Sequence, residues 1–180
     1  MNTMPAGFSM RLAAENDFAA IRAFYNQLID DLVRRPYHPL WARNGHPSDD
    51  YLRKAIAENE LWVAESSGQI VAAVVVNSEV NEGYNEVTWQ VQAGPGEFTC
   101  LHAFGVSARL QGQGIGKAMM QGIIDMTRRE GKKAIRLDLI DFNRTTGKVY
   151  EKFGFCKCAE LKLYYPEVGW QLFHMYELVL

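Results

Sequence analysis

The sequence predicts a mixed α/β fold, and three observations carry that expectation. Short apolar runs bounded by turn residues, such as Ile70 to Asn77 and Ala134 to Leu139, read as strands. Other stretches repeat their apolar residues at helical spacing, most fully Phe18, Ile21, Phe24, Tyr25, Leu28, Ile29 and Leu32. The third is a glycine-rich turn, Gln111-Gly112-Gln113-Gly114-Ile115-Gly116-Lys117, set between an apolar strand (Leu101 to Val106) and an amphipathic helix beginning near Gly114. Pattern alone gives a mixed α/β sheet.

In chain order, Phe8 to Leu12 reads as a first strand and a helix follows from about Asp17 until Pro36 and Pro39 stop it. Ser48 or Asp49 caps a second helix running to about Asn59. Leu61 to Glu65 and Ile70 to Asn77 form a hairpin across Ser67-Gly68. Glu86 to Gln92 alternates, with Val87, Trp89 and Val91 on one face, and reads as a further strand. Ala93-Gly94-Pro95-Gly96 turns the chain into the strand ending at Val106. The helix after the glycine turn buries Ile115, Met119, Ile123 and Met126 and ends at Gly131. Ala134 to Leu139 is a strand, Arg144 to Phe153 a helix, Phe155 to Leu163 a strand and Gln171 to Leu180 the last strand. No repeat, linker or low-complexity segment interrupts this order, so residues 1–180 are expected to form one domain.

A net charge of −2, with no Lys/Arg run longer than two, argues against nucleic acid and membrane surfaces as partners. The apolar runs fall far short of the ~20 residues needed to span a bilayer, and residues 1–7 lack the layout of a signal peptide. Three cysteines, an odd number, argue against a disulfide framework and for a reducing cytoplasm. Cys156 and Cys158 would share one face of a strand, but no neighbouring His or Cys completes a metal set, so no metal is expected.

Three glycines on alternate positions let the backbone curl and approach a ligand, while the helix behind them offers unpaired N–H groups and its positive dipole end. Such a turn suits a phosphate or pyrophosphate. A Walker A loop needs four residues between its first Gly and Gly-Lys-Ser/Thr; here Gly112 and Gly116-Lys117 are three apart, and Ala118 offers no hydroxyl for magnesium. A dinucleotide fingerprint needs G-x-G-x-x-G, whereas this turn reads G-x-G-x-G.

Gln111, Gly114 and Gly116 do satisfy Q/R-x-x-G-x-G/A. A second block, Asn143 followed by Tyr150-Glu151-Lys152-Phe153-Gly154-Phe155, lies downstream. Together the blocks resemble the acetyl-CoA loop and the N-x-x-A-x-x-x-Y-E-K-x-G-F segment of the GNAT superfamily of N-acyltransferases, with Thr146 where Ala is usual. The resemblance covers residues 101–155 most closely. It implies the order β-α-α-β-β-β-α-β-α-β-β, a central mixed sheet flanked by helices on both faces, and acetyl-CoA as co-substrate. It also implies transfer to a small-molecule or peptide amine; a homodimer is common in the family, although nothing in the sequence marks an interface.

On that resemblance, backbone N–H groups of Gly112, Gln113, Gly114, Ile115, Gly116 and Lys117 cradle the pyrophosphate, with Arg109 or Lys148 toward the outer phosphate. Tyr150 protonates the departing thiolate, Asn143 bonds the pantetheine arm or caps the Arg144 helix, and a backbone N–H near Phe104–Val106 polarises the thioester carbonyl. An alkylammonium of pKa ~10.4 is only about 0.1% neutral near pH 7.4, a cost of about 4 kcal/mol of barrier if nothing removes the proton. His102, on the face of Phe104 and Val106, is the candidate base, with ordered water the alternative. The acceptor pocket is expected from Tyr37, His38 and Trp41, from Trp89, and from Tyr164, Tyr165 and Trp170; a tight Gly94-Pro95 turn would set Trp89 opposite His102. Cys100 as an acyl-carrying nucleophile, and a CoA-binding sensor without catalysis, are the rival readings.

Overall fold

The computed structural model describes residues 4–36, 38–166 and 168–180. Seven strands lie in the order β1-β2-β3-β4-β5-β7-β6, flanked by helices: β1 (Ser9–Leu12), β2 (Leu61–Ser66), β3 (Gln69–Asn77), β4 (Phe98–Val106), β5 (Ala134–Ile140), β6 (Cys156–Tyr165) and β7 (Gly169–Val179). Four α-helices join them: α1 (Phe18–Leu32), α2 (Asp49–Ala57), α3 (Ile115–Arg129) and α4 (Gly147–Glu151). This is the element order that the family resemblance implied.

The chain divides into two compact units, and β4 runs from one into the other. The first comprises the chain up to Arg35, Trp41–Val76 and Leu101–Met126. Here β1 pairs antiparallel with β2, and β2 with β3, through a two-residue turn in which Ser67 and Gly68 take φ 49° and 75°. Positive φ at both turn residues gives the backbone twist that a tight hairpin needs. The apolar stripe of α1 buries Ile21, Phe24, Tyr25, Leu28 and Ile29. It packs in one core with Leu52, Leu61, Val63 and Val75. Ser48 caps α2 by accepting from the Tyr51 N–H at 3.2 Å.

The second unit comprises Pro36–Leu40, Asn77–Cys100 and Thr127–Leu180. There β5 pairs parallel with the start of β4, from Phe98↔Ala134 to Cys100↔Arg136, and antiparallel along its whole length with β7. Strand β6 closes the sheet against β7.

Three sequence expectations are corrected here. Residues 87–92 form no strand; a 3₁₀ turn (Glu82–Glu86) precedes them. Their alternation is real in burial, but the Gln90 and Val91 N–H groups bond the Glu177 carboxylate at 2.7 and 3.2 Å instead of a neighbouring strand. The single helix expected over Arg144 to Phe153 is a 3₁₀ segment (Asp141–Thr146) followed by the short α4. In β6 a register shift between Lys157 and Ala159 breaks the alternation at Cys158, so Cys156 is exposed while Cys158 is half-buried.

Candidate active site

The first unit holds the glycine turn. A 3₁₀ turn (Ala108–Leu110) leaves β4, after which Gly112 and Gly114 adopt φ 85° and 82°, a region that side chains with a Cβ seldom enter. Gly112, Gln113, Gly114 and Lys117 are exposed, whereas Ile115 is buried and pins the start of α3. A Cβ on Gly116 would sit 3.2 Å from Val106 Cγ2, so the bare glycine lets α3 lie close on β4. The first amides of this 15-residue helix have no intrahelical acceptor and face an open, glycine-lined turn. That donor set fits a pyrophosphate, with the helix dipole favouring its charge. Gln111 is exposed, and its Oε1 accepts from Arg35 Nη1 at 2.9 Å. Arg109 lines a cleft of 270 Å³ with Gln27, Asp31, Gln69 and Ser107.

Along β4, His102, Phe104 and Val106 are half-buried while Leu101, Ala103 and Gly105 are buried. Ala103 takes φ 51°, a left-handed conformation inside a strand. Its carbonyl, turned by that kink, accepts from the buried Tyr25 hydroxyl at 2.7 Å. Trp41 meets Tyr25 edge-on at 5.9 Å and belongs to the same core. Tyr37 lies outside the described residues.

The second unit holds the tyrosines. Tyr150, on α4, is half-buried beside Phe155 and Tyr176, with ring centroids 5.6 and 6.4 Å away. Burial first, then the negative charge of Asp138, pushes its phenol well above the ordinary tyrosine value, so it stays protonated. Gly147 fixes this helix: a Cβ there would come within 2.3 Å of the Tyr176 hydroxyl. Asn143 is not an N-cap; it sits at φ −112°, ψ 19° inside the 3₁₀ segment, where its Oδ1 accepts from Thr146 Oγ1 at 2.8 Å. Lys148 is exposed on α4.

Trp89 is held in the second unit by its Nε1 donating to the Tyr84 carbonyl at 3.1 Å and by the Arg136 guanidinium 4.4 Å from its ring. The ladder that would have set it opposite His102 disappears with the missing strand. His38 Nδ1 accepts from the Leu40 N–H at 3.2 Å. Tyr164 and Trp170 form an exposed cross-strand pair. Cys100 is buried, and burial, with Asp138 adding to it, pushes its thiol well up, which denies it the thiolate a nucleophile needs.

The sequence reading missed Asp138 and Tyr84. Asp138 Oδ2 accepts from the Tyr84 hydroxyl at 2.8 Å and from the Tyr165 hydroxyl at 3.3 Å. The available signal was the strand itself, Ala-Ile-Arg-Leu-Asp-Leu-Ile, in which two charges interrupt a wholly apolar run at strand spacing. Among the described residues no group of three or more His, Cys, Asp or Glu is arranged to hold a metal, and no helix is long and apolar enough to cross a membrane.

A protein-family model described as "Acetyltransferase (GNAT) family" matches residues 20–155. No curated protein matches the chain by sequence. Among solved structures, an acetyltransferase of the GNAT family from Streptococcus agalactiae aligns with TM-score 0.80 at 18% identity, over 98% of this chain and 97% of that one. The yncA protein of Salmonella typhimurium, solved with its cofactor acetyl-CoA, aligns with TM-score 0.67 at 18% identity, over 96% of this chain and 94% of that one. The ribosomal-protein-S18-alanine N-acetyltransferase of Escherichia coli gives TM-score 0.63 at 18% identity, over 96% and 93%. At these identities the likeness is one of fold.

Proposed function

The chain belongs to the acetyltransferase (GNAT) family, and from that premise we propose that it transfers an acetyl group from acetyl-CoA to a primary amine by direct attack in a ternary complex. The observation that carries this reading is the turn with left-handed Gly112 and Gly114 opening onto the exposed N-terminus of α3. Acetyl-CoA supplies an activated thioester; the rest of the chemistry falls to this chain's residues.

Backbone amides from Gly112 to Lys117 hold the pyrophosphate, and Lys117 adds a point charge. Lys148 answers an outer phosphate. Among the described residues the Asn143 carboxamide nitrogen makes no hydrogen bond, so it is a donor available to the pantetheine arm. A backbone N–H near Phe104–Val106 polarises the thioester carbonyl, and the Ala103 kink supports this by re-aiming the amides of β4. His102, or water beside it, takes the proton of the amine. Trp41, Trp89 and Tyr165 remain the acceptor-side candidates. Residues 1–180 act as one catalytic domain, and the free cysteines suit a reducing cytoplasm.

Tyr150 is the proton donor to the departing thiolate; burial and the negative charge of Asp138 push its phenol above the ordinary tyrosine value, so it is protonated and able to donate. Thiol release from acetyl-CoA across a broad amine panel, for wild type and Tyr150→Phe, tests the reading. Turnover that drops about 100-fold in the variant supports it. Tight CoA binding without turnover on any amine would replace the transferase with a CoA-binding sensor.

A further inference from the structure

Ala103 is the one residue of β4 with a positive φ, 51°, a left-handed state that an alanine enters only at a cost. Such a residue persists where its surroundings over-determine it, and helix α1 does so here from two points. The Tyr25 hydroxyl donates to the Ala103 carbonyl at 2.7 Å, across 78 residues of chain. Two residues on, a Cβ at Gly105 would collide with Leu28 Cδ2, so the strand lies directly under the same helix. The Tyr25 ring is fully buried, with Phe24 at 5.1 Å, Trp41 at 5.9 Å and the Arg22 guanidinium 5.9 Å from its centroid. Burial first, then Tyr51, pushes its phenol well above the ordinary value, so it donates at every working pH. The bonded carbonyl shares one rigid plane with the Phe104 N–H, and across a trans peptide the two point in opposite directions. Fixing one therefore aims the other, away from Tyr25. The parallel ladder of β4 covers only Phe98 to Cys100 and does not claim this amide.

We propose that Tyr25 is a positioning residue of the reaction: by holding the Ala103 carbonyl it aims the Phe104 N–H at the thioester carbonyl oxygen. The inference rests on the transferase reading and assigns, within Phe104–Val106, the amide that polarises the carbonyl. Negative charge grows on that oxygen as the amine attacks, and a donor already aimed there stabilises it without reorganising. Tyr25 touches neither acetyl-CoA nor the amine; it acts through one peptide plane. Without its hydroxyl nothing offsets the left-handed conformation, so Ala103 relaxes toward extended backbone and the peptide swings with it.

The test reads the carbonyl rather than turnover. Acetyl-CoA isotope-labelled at its carbonyl carbon is bound to wild type, Tyr25→Phe, Ala103→Gly and Ile21→Val. Isotope-edited infrared spectroscopy gives the carbonyl stretching frequency, and Kd and thermal midpoint are measured on each. Wild type should lower the frequency relative to free acetyl-CoA. Tyr25→Phe should lose about half of that shift or more while Kd changes less than about threefold, since the pyrophosphate turn is intact. Ala103→Gly should keep the shift, because glycine takes φ 51° freely and the Tyr25 bond still sets the direction. Ile21→Val loosens the same core on the same helix but leaves the hydroxyl in place, so it should keep the shift too. A full shift in folded Tyr25→Phe overturns the proposal, as does equal loss in Ile21→Val, which would mean general loosening. Loss of the shift in Ala103→Gly also overturns it, and does so even if Tyr25→Phe does not fold. Wild type that binds acetyl-CoA without any shift overturns the proposal and leaves the transferase reading standing. Failure to bind acetyl-CoA removes that reading and the proposal with it.

Discussion

Glu177→Gln probes the most deeply withdrawn charge pair of the second unit. Arg136 and Glu177 are 4% and 0% exposed, joined Nε to Oε1 at 2.9 Å. The guanidinium lies 4.4 Å from the Trp89 ring and 4.3 Å from the Phe98 ring, and its Nη2 donates to the Val91 carbonyl at 3.0 Å. The second carboxylate oxygen receives the Gln90 and Val91 amides. An amide at 177 keeps the shape but loses the charge, and one of its two polar atoms turns from acceptor to donor. It must then either oppose an N–H of Arg136 or abandon the Gln90 and Val91 amides. Uncoupling one member of a buried pair costs about 3–5 kcal/mol, and at this chain length each kcal/mol moves the thermal midpoint by about 2–4 °C. Glu177→Gln should therefore unfold roughly 6–20 °C lower in calorimetry, with a matching fall in the denaturant midpoint. Arg136→Met with Glu177→Leu should recover much of the loss, because the pair leaves together. Three orphaned backbone groups, the Gln90 and Val91 amides and the Val91 carbonyl, at about 1–3 kcal/mol each where water does not reach them, set the residual deficit. A Glu177→Gln stability within about 1 kcal/mol of wild type, below the range for breaking such a pair, would refute the reasoning and mean that water reaches it.

Tyr25→Phe strands the buried Ala103 carbonyl and should destabilise by about 1–3 kcal/mol in urea titration; a neutral result would mean that the kink does not depend on it. Gly114→Ala forces a Cβ into φ 82°, a strain of about 1–2 kcal/mol, and should weaken acetyl-CoA binding in calorimetry more than it lowers stability. Cys100→Ser should keep its acetyl-transfer rate, since the buried thiol is held protonated. For pH, the Arg11 guanidinium hydrogen bond holds the Asp17 carboxyl below its ordinary value against the opposing pull of burial. A depressed carboxylate stabilises the fold above its unfolded value of about 3.9 and loses that contribution as pH falls through the folded value. Asp17→Asn should accordingly flatten the fall in urea midpoint between about pH 5 and pH 2.

Local chemistry was legible in the chain wherever neighbours along the sequence decide the outcome. The periodicity of Phe18 to Leu32, the Ser48 cap, the Ser67-Gly68 turn and the left-handed glycines at 112 and 114 all follow from backbone sterics and spacing within a few residues. What the sequence could not reveal depends on partners far away in it. Val87, Trp89 and Val91 alternate like a strand, but whether their amides find a ladder or a carboxylate is settled by Glu177, some 86 residues on. Asn143 is a good cap in isolation, yet the chain enters α4 through a 3₁₀ segment, and Gly147 must pass beneath Tyr176. Asp138 reads as one charge in an apolar strand until the tertiary structure brings Tyr84 and Tyr165 to the same oxygen. Burial raises the phenol of Tyr150, so tertiary packing rather than the motif sets how strong an acid it is. Backbone conformation is fixed by each residue's own sterics, whereas solvent exclusion and hydrogen-bond partnership exist only once distant segments meet.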